Sequence, residues 1–241
     1  MTHWITPDWP APKHIRAATT LRTGGFSQAE FSRLNPADHV QDNPVDVLKN
    51  RQKIKQMLAL PSEPLWLRQT HSSDVICADQ YDQGLIADAS YTRKKNVVCT
   101  VLTADCLPLL LCDVQGTVVA AIHAGWRGLL NGIVENTVAK MPDSELLAWL
   151  GPAIGPQCFV VGQDVYDLFV NQSRLFSSAF TQQSGDKYLA DIYQIARMIL
   201  EGAGVQKIYG GQFCTVTETE RFFSYRRDGQ TGRMATLIWM D

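Results

Sequence analysis

Two histidines and a cysteine stand where strands would end, and their types match an open metal site. Cys106 follows the apolar run over 96–102, and His123 closes a second apolar run. The DVQG stretch at 113–116 reads as a tight turn between them. Strands joined there are antiparallel neighbours, which brings the thiol close to the imidazole. A second imidazole, His71, sits in the polar QTHSS stretch at 69–73, again at the edge of an apolar segment. Two imidazoles and a thiolate form a three-ligand zinc set that leaves a fourth position for water or substrate. An ion held in this way lowers the pKa of a bound water to about 7. Taken singly, a cysteine at a strand end is more often a small buried hydrophobe. Their shared place at the ends of apolar segments makes His71, Cys106 and His123 the expected catalytic and metal-ligating trio.

The neighbouring residues supply charge and stacking surface. Arg127, Arg226 and Arg227 carry the planar guanidinium fork that suits phosphate, with salt bridges to Asp228 and Asp105 as the structural alternative. Asp88 and Asp105 can orient a ligating histidine through its other ring nitrogen, or carry protons. His39 lies in a polar connection long enough to be functional, although a loop histidine is commonly just solvated. The GWRG turn at 125–128 heads a helix and presents backbone N–H groups to an anion. Arg127, Arg226, Arg227, His39 and Asp105 are therefore the expected substrate- and phosphate-binding residues. Trp126, Phe222, Phe223 and Tyr225 could stack on a planar base, against the plainer alternative that they are core.

The elements that must position these groups follow from periodicity and punctuation. A first strand over 15–22 stops at Gly24 and Gly25. Asn43-Pro44 opens a helix, with an N-cap followed by proline at the first position, and Val47, Leu48, Ile54, Met57 and Leu58 recur at helical spacing up to Pro61. Short strands over 65–68 and 75–78 flank His71, and 96–102 is a buried-type strand. Pro108 inside the next apolar run predicts an edge strand, a bulge or a bend. A helix over 129–141 is expected to end at Pro142. Strands follow over 146–150, 159–161, 208–209 and 235–240, with helices over 164–170 and 189–200. Hairpin-like strand pairs mixed with helix-separated strands predict an α+β fold with mixed β-sheets. No repeat or linker-like stretch interrupts 1–241, so a single catalytic domain is expected.

Composition narrows the partners. The chain has 241 residues, 45% of them hydrophobic, with a formal net charge of −2. That charge and a pI near 6.2 argue against nucleic acid or an anionic membrane as partner. The N-terminus lacks the apolar stretch of a signal peptide, and no apolar run approaches the roughly 20 residues that span a bilayer. Six cysteines without C-x-x-C spacing fit free thiols in a reducing cytoplasm. A cytoplasmic monomer is the expected state. Dinucleotide-binding, P-loop and nucleophile-elbow signatures are absent from the sequence.

Several long motifs, TADCLPLLL, AIHAGWRGLLNGIV, AWLGPAIGP, GDKYLADIYQIAR and FFSYRRDGQTGRMA, resemble those of the bacterial laccase-domain proteins. These are also described as multifunctional purine nucleoside phosphorylases, polyphenol oxidases or peptidoglycan editing factors. The resemblance covers nearly the whole chain. It implies a single α+β domain in which mixed β-sheets pack with helices outside, and a zinc site at His71, Cys106 and His123. The activities it implies are phosphorolysis of adenosine, inosine, guanosine and methylthioadenosine, together with adenosine deamination. One departure stands out: the family loop reads close to LNLGxHVGD, whereas this chain has LNPADHVQD, keeping His39 but placing Gln41 where glycine is usual. Two other readings stay open. Copper could occupy the same trio in a polyphenol oxidase, although five histidines (His3, His14, His39, His71 and His123) are too few for a multicopper centre. Alternatively, Cys106 and a histidine could form a thiol nucleophile pair in a metal-free hydrolase or amidase acting on peptidoglycan precursors.

Overall fold

A computed structural model of the protein describes residues 3–80, 84–141 and 144–241. In chain order, β1 (Trp4–Ile5) and β2 (Ile15–Thr20) precede α1 (Pro44–Met57). Next come β3 (Val75–Cys77), β4 (Ala89–Thr92), β5 (Cys99–Thr103), β6 (Leu107–Asp113) and β7 (Val119–Ala124). Two short helices, α2 (Trp126–Leu130) and α3 (Ile133–Val138), lead to β8 (Leu146–Leu150). Then β9 (Val160–Gly162), α4 (Gln163–Gln172), β10 (Phe180–Gln182), β11 (Lys187–Ala190) and α5 (Ile192–Gly202) follow. The chain closes with β12 (Lys207–Gly210), α6 (Tyr225–Asp228) and β13 (Met234–Met240).

Two sheets form the body. One has the order β1-β2-β13-β5, antiparallel throughout; the other has the order β12-β8-β6-β7-β4-β3 and is mixed, with parallel pairs at both edges. The central strand β6 shows how they are layered. Its residues alternate in direction, as a strand requires. Leu110 and Cys112 meet Val101 and Ile238 of the other sheet, whereas Leu109 and Leu111 face Leu129, Ile133 and Ile199 of the helices. Both faces are thus buried, which explains the unbroken apolar run LPLLLC. On the far side of the four-stranded sheet, Ile54 of α1 packs against Leu102, Leu237 and Trp239. The order is helix, sheet, sheet, helix: the α+β class that the element pattern predicts, with the outer helices that the family resemblance implies. Among the described residues, no helix is long and apolar enough to cross a membrane.

Three expectations need correction. Pro108 lies in a central strand with no edge nearby. It pairs with His123 on β7, whose amide bonds to Asp88 on the other side, so no bond between β6 and β7 is lost there. The missing N–H of Pro108 points past the end of β8, where the Gly151 carbonyl that would have accepted it lies 3.2 Å from the Tyr193 hydroxyl, a donor shared with the Phe213 carbonyl at 3.0 Å. The expected helix over 129–141 is broken in two by Gly132, whose φ of 85° is left-handed; Pro142 lies outside the described residues. Leu189 belongs to β11 of a third, three-stranded sheet, order β10-β11-β9, so α5 begins only at Ile192. By contrast α1 begins as expected, with the Asn43 side chain accepting from the Val45 amide.

Candidate metal centre and its cavity

One carboxylate organises the site. Asp88, fully buried just before β4, accepts the backbone N–H groups of Thr70, His71 and Ser72 at 3.1, 3.0 and 2.7 Å, and the Ser72 hydroxyl at 2.8 Å. Three consecutive amides can converge on one acceptor because His71 adopts a left-handed φ of 61°. Nests of this kind hold anions. The same carboxylate lies 2.7 Å from Nδ1 of His123 on β7. Asp88 therefore fixes the His71 turn and the His123 ring together. Upstream, the Gln69 side chain accepts from the Leu102 amide at 2.7 Å and donates to its carbonyl at 2.8 Å, clamping the turn to β5. The charged form of Asp88 is favoured: burial opposes ionisation, but the His123 imidazole and the Ser72 bonds outweigh it and hold the pKa well below the usual carboxylate range.

The β6–β7 hairpin brings in the other two donors. The DVQG turn forms as the sequence predicts, with the Asp113 side chain accepting from Thr117 and Val118. Cys106 sits immediately before β6, its Sγ 3.7 Å from Nε2 of His71. The two imidazole centroids are 4.8 Å apart, and the donor atoms of all three residues lie within 4.8 Å of one another. Burial pushes the Cys106 thiol up, but the His123 imidazole and hydrogen bonds from both histidines more than reverse this, to about 6. His123 is affected in the opposite sense. Burial lowers its pKa, yet the Cys106 thiolate and the Asp88 bond raise it to about 9.

The donor set fits a soft or borderline divalent ion. With Nδ1 of His123 engaged by Asp88, its Nε2 faces the other two donors, the carboxylate–histidine arrangement common at such sites. Gly125, one residue past β7, keeps room for this arrangement: a Cβ there would come within 3.1 Å of both Cys106 Sγ and the His71 ring.

A cavity of about 570 Å³ opens over the trio. Of the residues expected to bind substrate or phosphate, His39, Asp105, Arg127 and Arg226 line it with His71, Cys106 and His123; Arg227 does not. The Arg227 guanidinium instead donates to the carbonyls of Thr215, Val216 and Phe222 and to Asp228, the structural role that the adjacent acid allows. Both Asp105 oxygens are engaged, one by the Thr215 hydroxyl at 2.5 Å and the other by the Arg226 amide at 2.6 Å. Asp105 also holds a left-handed φ of 90° just ahead of Cys106. It joins the thiol's loop to α6.

Trp126 and Tyr225 face the cavity as expected of stacking residues, with Arg127 against the Trp126 ring at 4.4 Å. Phe222 and Phe223 are fully buried and cannot reach a ligand. The cavity also holds residues that sequence reasoning passed over: Gln69, Ile154, Phe159, Ile192 and Arg233. For Arg233 the available signal is strand register. Met234 pairs with Thr103, so Arg233 must lie beside the 104–106 segment that carries the thiol.

The His39 loop is fixed from below by buried amides. Asn50 donates to Ser27 and to the Asn35 carbonyl at 2.8 Å each, while Asn35 donates to Asp42 at 2.8 Å. Gln41 has a left-handed φ of 71°, a conformation that glycine adopts without strain, which accounts for glycine at this place in the loop of the resembled family. Burial, and then the charge of Arg233, lower the pKa of His39.

Comparison with known proteins identifies the family. The profile of a family described as multi-copper polyphenol oxidoreductase laccase matches residues 16–241. The purine nucleoside phosphorylase YfiH of Shigella flexneri is 50% identical over 244 residues, covering 100% of both chains. A purine nucleoside phosphorylase of Pseudomonas aeruginosa is 49% identical, covering 100% of this chain and 99% of its own. The crystal structure of Neisseria meningitidis protein NMB0706 superposes with a TM-score of 0.94 at 46% identity, over 100% of both chains. With the profile matched along almost its whole length, this chain belongs to the multi-copper polyphenol oxidoreductase laccase family.

Proposed function

We propose that the protein is a zinc-dependent purine nucleoside phosphorylase acting on adenosine, inosine, guanosine and methylthioadenosine, with adenosine deamination as a second activity. The observation that carries this reading is the joining of a three-donor cluster to one cavity whose walls are both aromatic and cationic. The names of the full-length relatives support it. In phosphorolysis the C1′–N9 bond breaks with its electron pair leaving on the purine, and a phosphate oxygen bonds to C1′. Catalysis then rests on holding phosphate and nucleoside in line and on stabilising the departing base.

The chain's residues divide these tasks. Trp126, Phe159 and Tyr225 give the cavity aromatic walls for the purine, and Arg127, Arg226 and His39 bring positive charge to the phosphate. Asp88 holds the Nδ1 proton of His123, keeping the Nε2 lone pair directed at the donor cluster. Zinc would be held by His71, Cys106 and His123, where it supplies Lewis-acid polarisation of the reacting centre. Only this one donor cluster occurs among the described residues, which suits a single ion better than a multicopper oxidase centre.

A second reading draws on a separate observation: the Cys106 thiol, 3.7 Å from His71 and with its pKa lowered to about 6, has the features of a nucleophile pair. One set of assays separates the two. Nucleosides are incubated with and without phosphate, before and after chelation, with metal content measured alongside. Base release that requires phosphate, stops on chelation and returns with zinc is the expected result. Inosine formed from adenosine without phosphate would report deamination. Base release independent of phosphate would defeat the phosphorylase reading, and activity that survives chelation but falls to thiol alkylation would favour the nucleophile.

A further inference from the structure

Arg233 is a cavity cation that no carboxylate contacts directly; the negative charges of Cys106 and Asp105 act on it only from beyond ion-pair distance. Its Nη1 donates to the carbonyls of Thr231 and Gly232 at 2.8 and 3.0 Å, and the Tyr225 ring centroid lies 5.9 Å from its Cζ. These contacts hold one edge of the guanidinium and leave the Nε–Nη2 edge to a ligand. Among the described residues it forms no ion pair. The nearby acid Asp105 is engaged by Thr215 and the Arg226 amide.

The other cavity arginines differ. Arg127 is exposed against Trp126, and Arg226 is exposed with Nη1 on the carbonyls of Cys158 and Val160. Arg233 alone of the three is half-buried. A guanidinium withdrawn from water without a direct ion-pair partner is costly, and an anion entering the cavity relieves that cost.

The position of Arg233 is built rather than incidental. Its backbone N–H donates to Asn35 Oδ1 at 3.0 Å, and that same oxygen accepts the Ala37 amide at 3.0 Å. One buried side chain therefore ties Arg233 to the loop that carries His39, which lines the same cavity. Gly232 lets this contact form, since a Cβ there would meet the Phe223 ring at 2.7 Å and Asn35 Cβ at 2.9 Å.

We propose that Arg233 is the principal phosphate ligand of the cavity, its side-on fork taking two phosphate oxygens, with Asn35 as the residue that positions it. The inference rests on the phosphorylase reading for its role in turnover, but the anion seat can be judged separately. Inorganic phosphate is titrated calorimetrically into the metal-loaded protein, its Arg233→Gln variant and its Arg233→Lys variant, with metal content and melting temperature recorded. Initial rates are then measured against phosphate at saturating nucleoside, and against nucleoside at saturating phosphate.

Loss of a forked, charge-assisted contact should weaken phosphate binding, and raise its KM, about 10- to 100-fold in the glutamine variant. Lysine should recover part of this, since it keeps the charge without the fork. The nucleoside KM should stay within about twofold. Unchanged phosphate affinity in both variants, or a raised nucleoside KM with phosphate binding intact, would overturn the proposal. Should the glutamine variant fail to fold, the lysine variant decides by the same two readouts. If the wild-type protein releases base without phosphate, the phosphorylase reading fails, and the calorimetric comparison still decides whether Arg233 is an anion ligand.

Discussion

Asp88→Asn is expected to weaken metal binding about 10- to 100-fold and to lower stability by about 3–5 kcal/mol. The carboxylate accepts from Thr70, His71, Ser72 and His123 while wholly buried. Asparagine has nearly the same shape but replaces one acceptor oxygen with an NH₂ group. At a point where every partner is a donor, at least one N–H then faces another donor in the interior. The negative charge that favours a proton on Nδ1 of His123 disappears as well, so the ring can present the wrong tautomer to the ion. Metal titration against a competing chelator, with urea unfolding of the metal-free protein, checks both halves. Intact metal affinity in a folded variant would show that the histidines are held by their own packing.

Cys106→Ala should have the largest effect on activity. It removes the one donor of the trio that carries negative charge. Since loss of groups behind the ligands already costs about 10- to 100-fold, loss of a ligand should cut phosphate-dependent base release more than about 100-fold and leave metal below stoichiometry. The fold should tolerate it: the side chain is half-buried, and loss of its interaction with the two imidazoles should lower stability of the metal-free form by only about 1–2 kcal/mol at neutral pH. A variant that kept both zinc and full base release would defeat the metal-centre reading. The metal-free wild-type protein supplies a companion test. Its thiol should alkylate with a rate that rises through about pH 6, where an ordinary cysteine becomes reactive nearer 8.5. Added zinc should slow that reaction.

How far the site could be read from the chain depended on the range of the interactions involved. Cys106 and His123 were readable together because a hairpin turn joins their strands, and hairpin pairing is a local property. Asp88 was recognisable as a possible partner for histidine. Its hold on three amides was not, because that depends on a left-handed His71 and on contacts between segments far apart in sequence. Arg226 and Arg227 show the limit most plainly. Neighbours in one short helical turn point in different directions, and only the carbonyls of Thr215, Val216 and Phe222 decide which guanidinium is occupied. Pro108 illustrates another limit, since the rule against proline in central strands assumes that the neighbouring strand continues. Here β8 ends, and the Tyr193 hydroxyl lies within reach of the carbonyl that would otherwise be stranded. The layered α+β body was more legible, because alternation and helical spacing carry most of it.

The nest around Asp88 has a consequence for how the protein breathes. His71 is exposed, and amides in a surface turn ordinarily exchange their hydrogens for solvent deuterium quickly. Those of Thr70, His71 and Ser72 end on a carboxylate with no accessible surface. They should exchange slowly and at a common rate, set by a single opening that withdraws the turn from Asp88. That opening separates His71 from the other two donors, so an ion bound across all three residues should slow it further. Hydrogen exchange at these three amides, followed with and without zinc, would then record how often the empty centre comes apart.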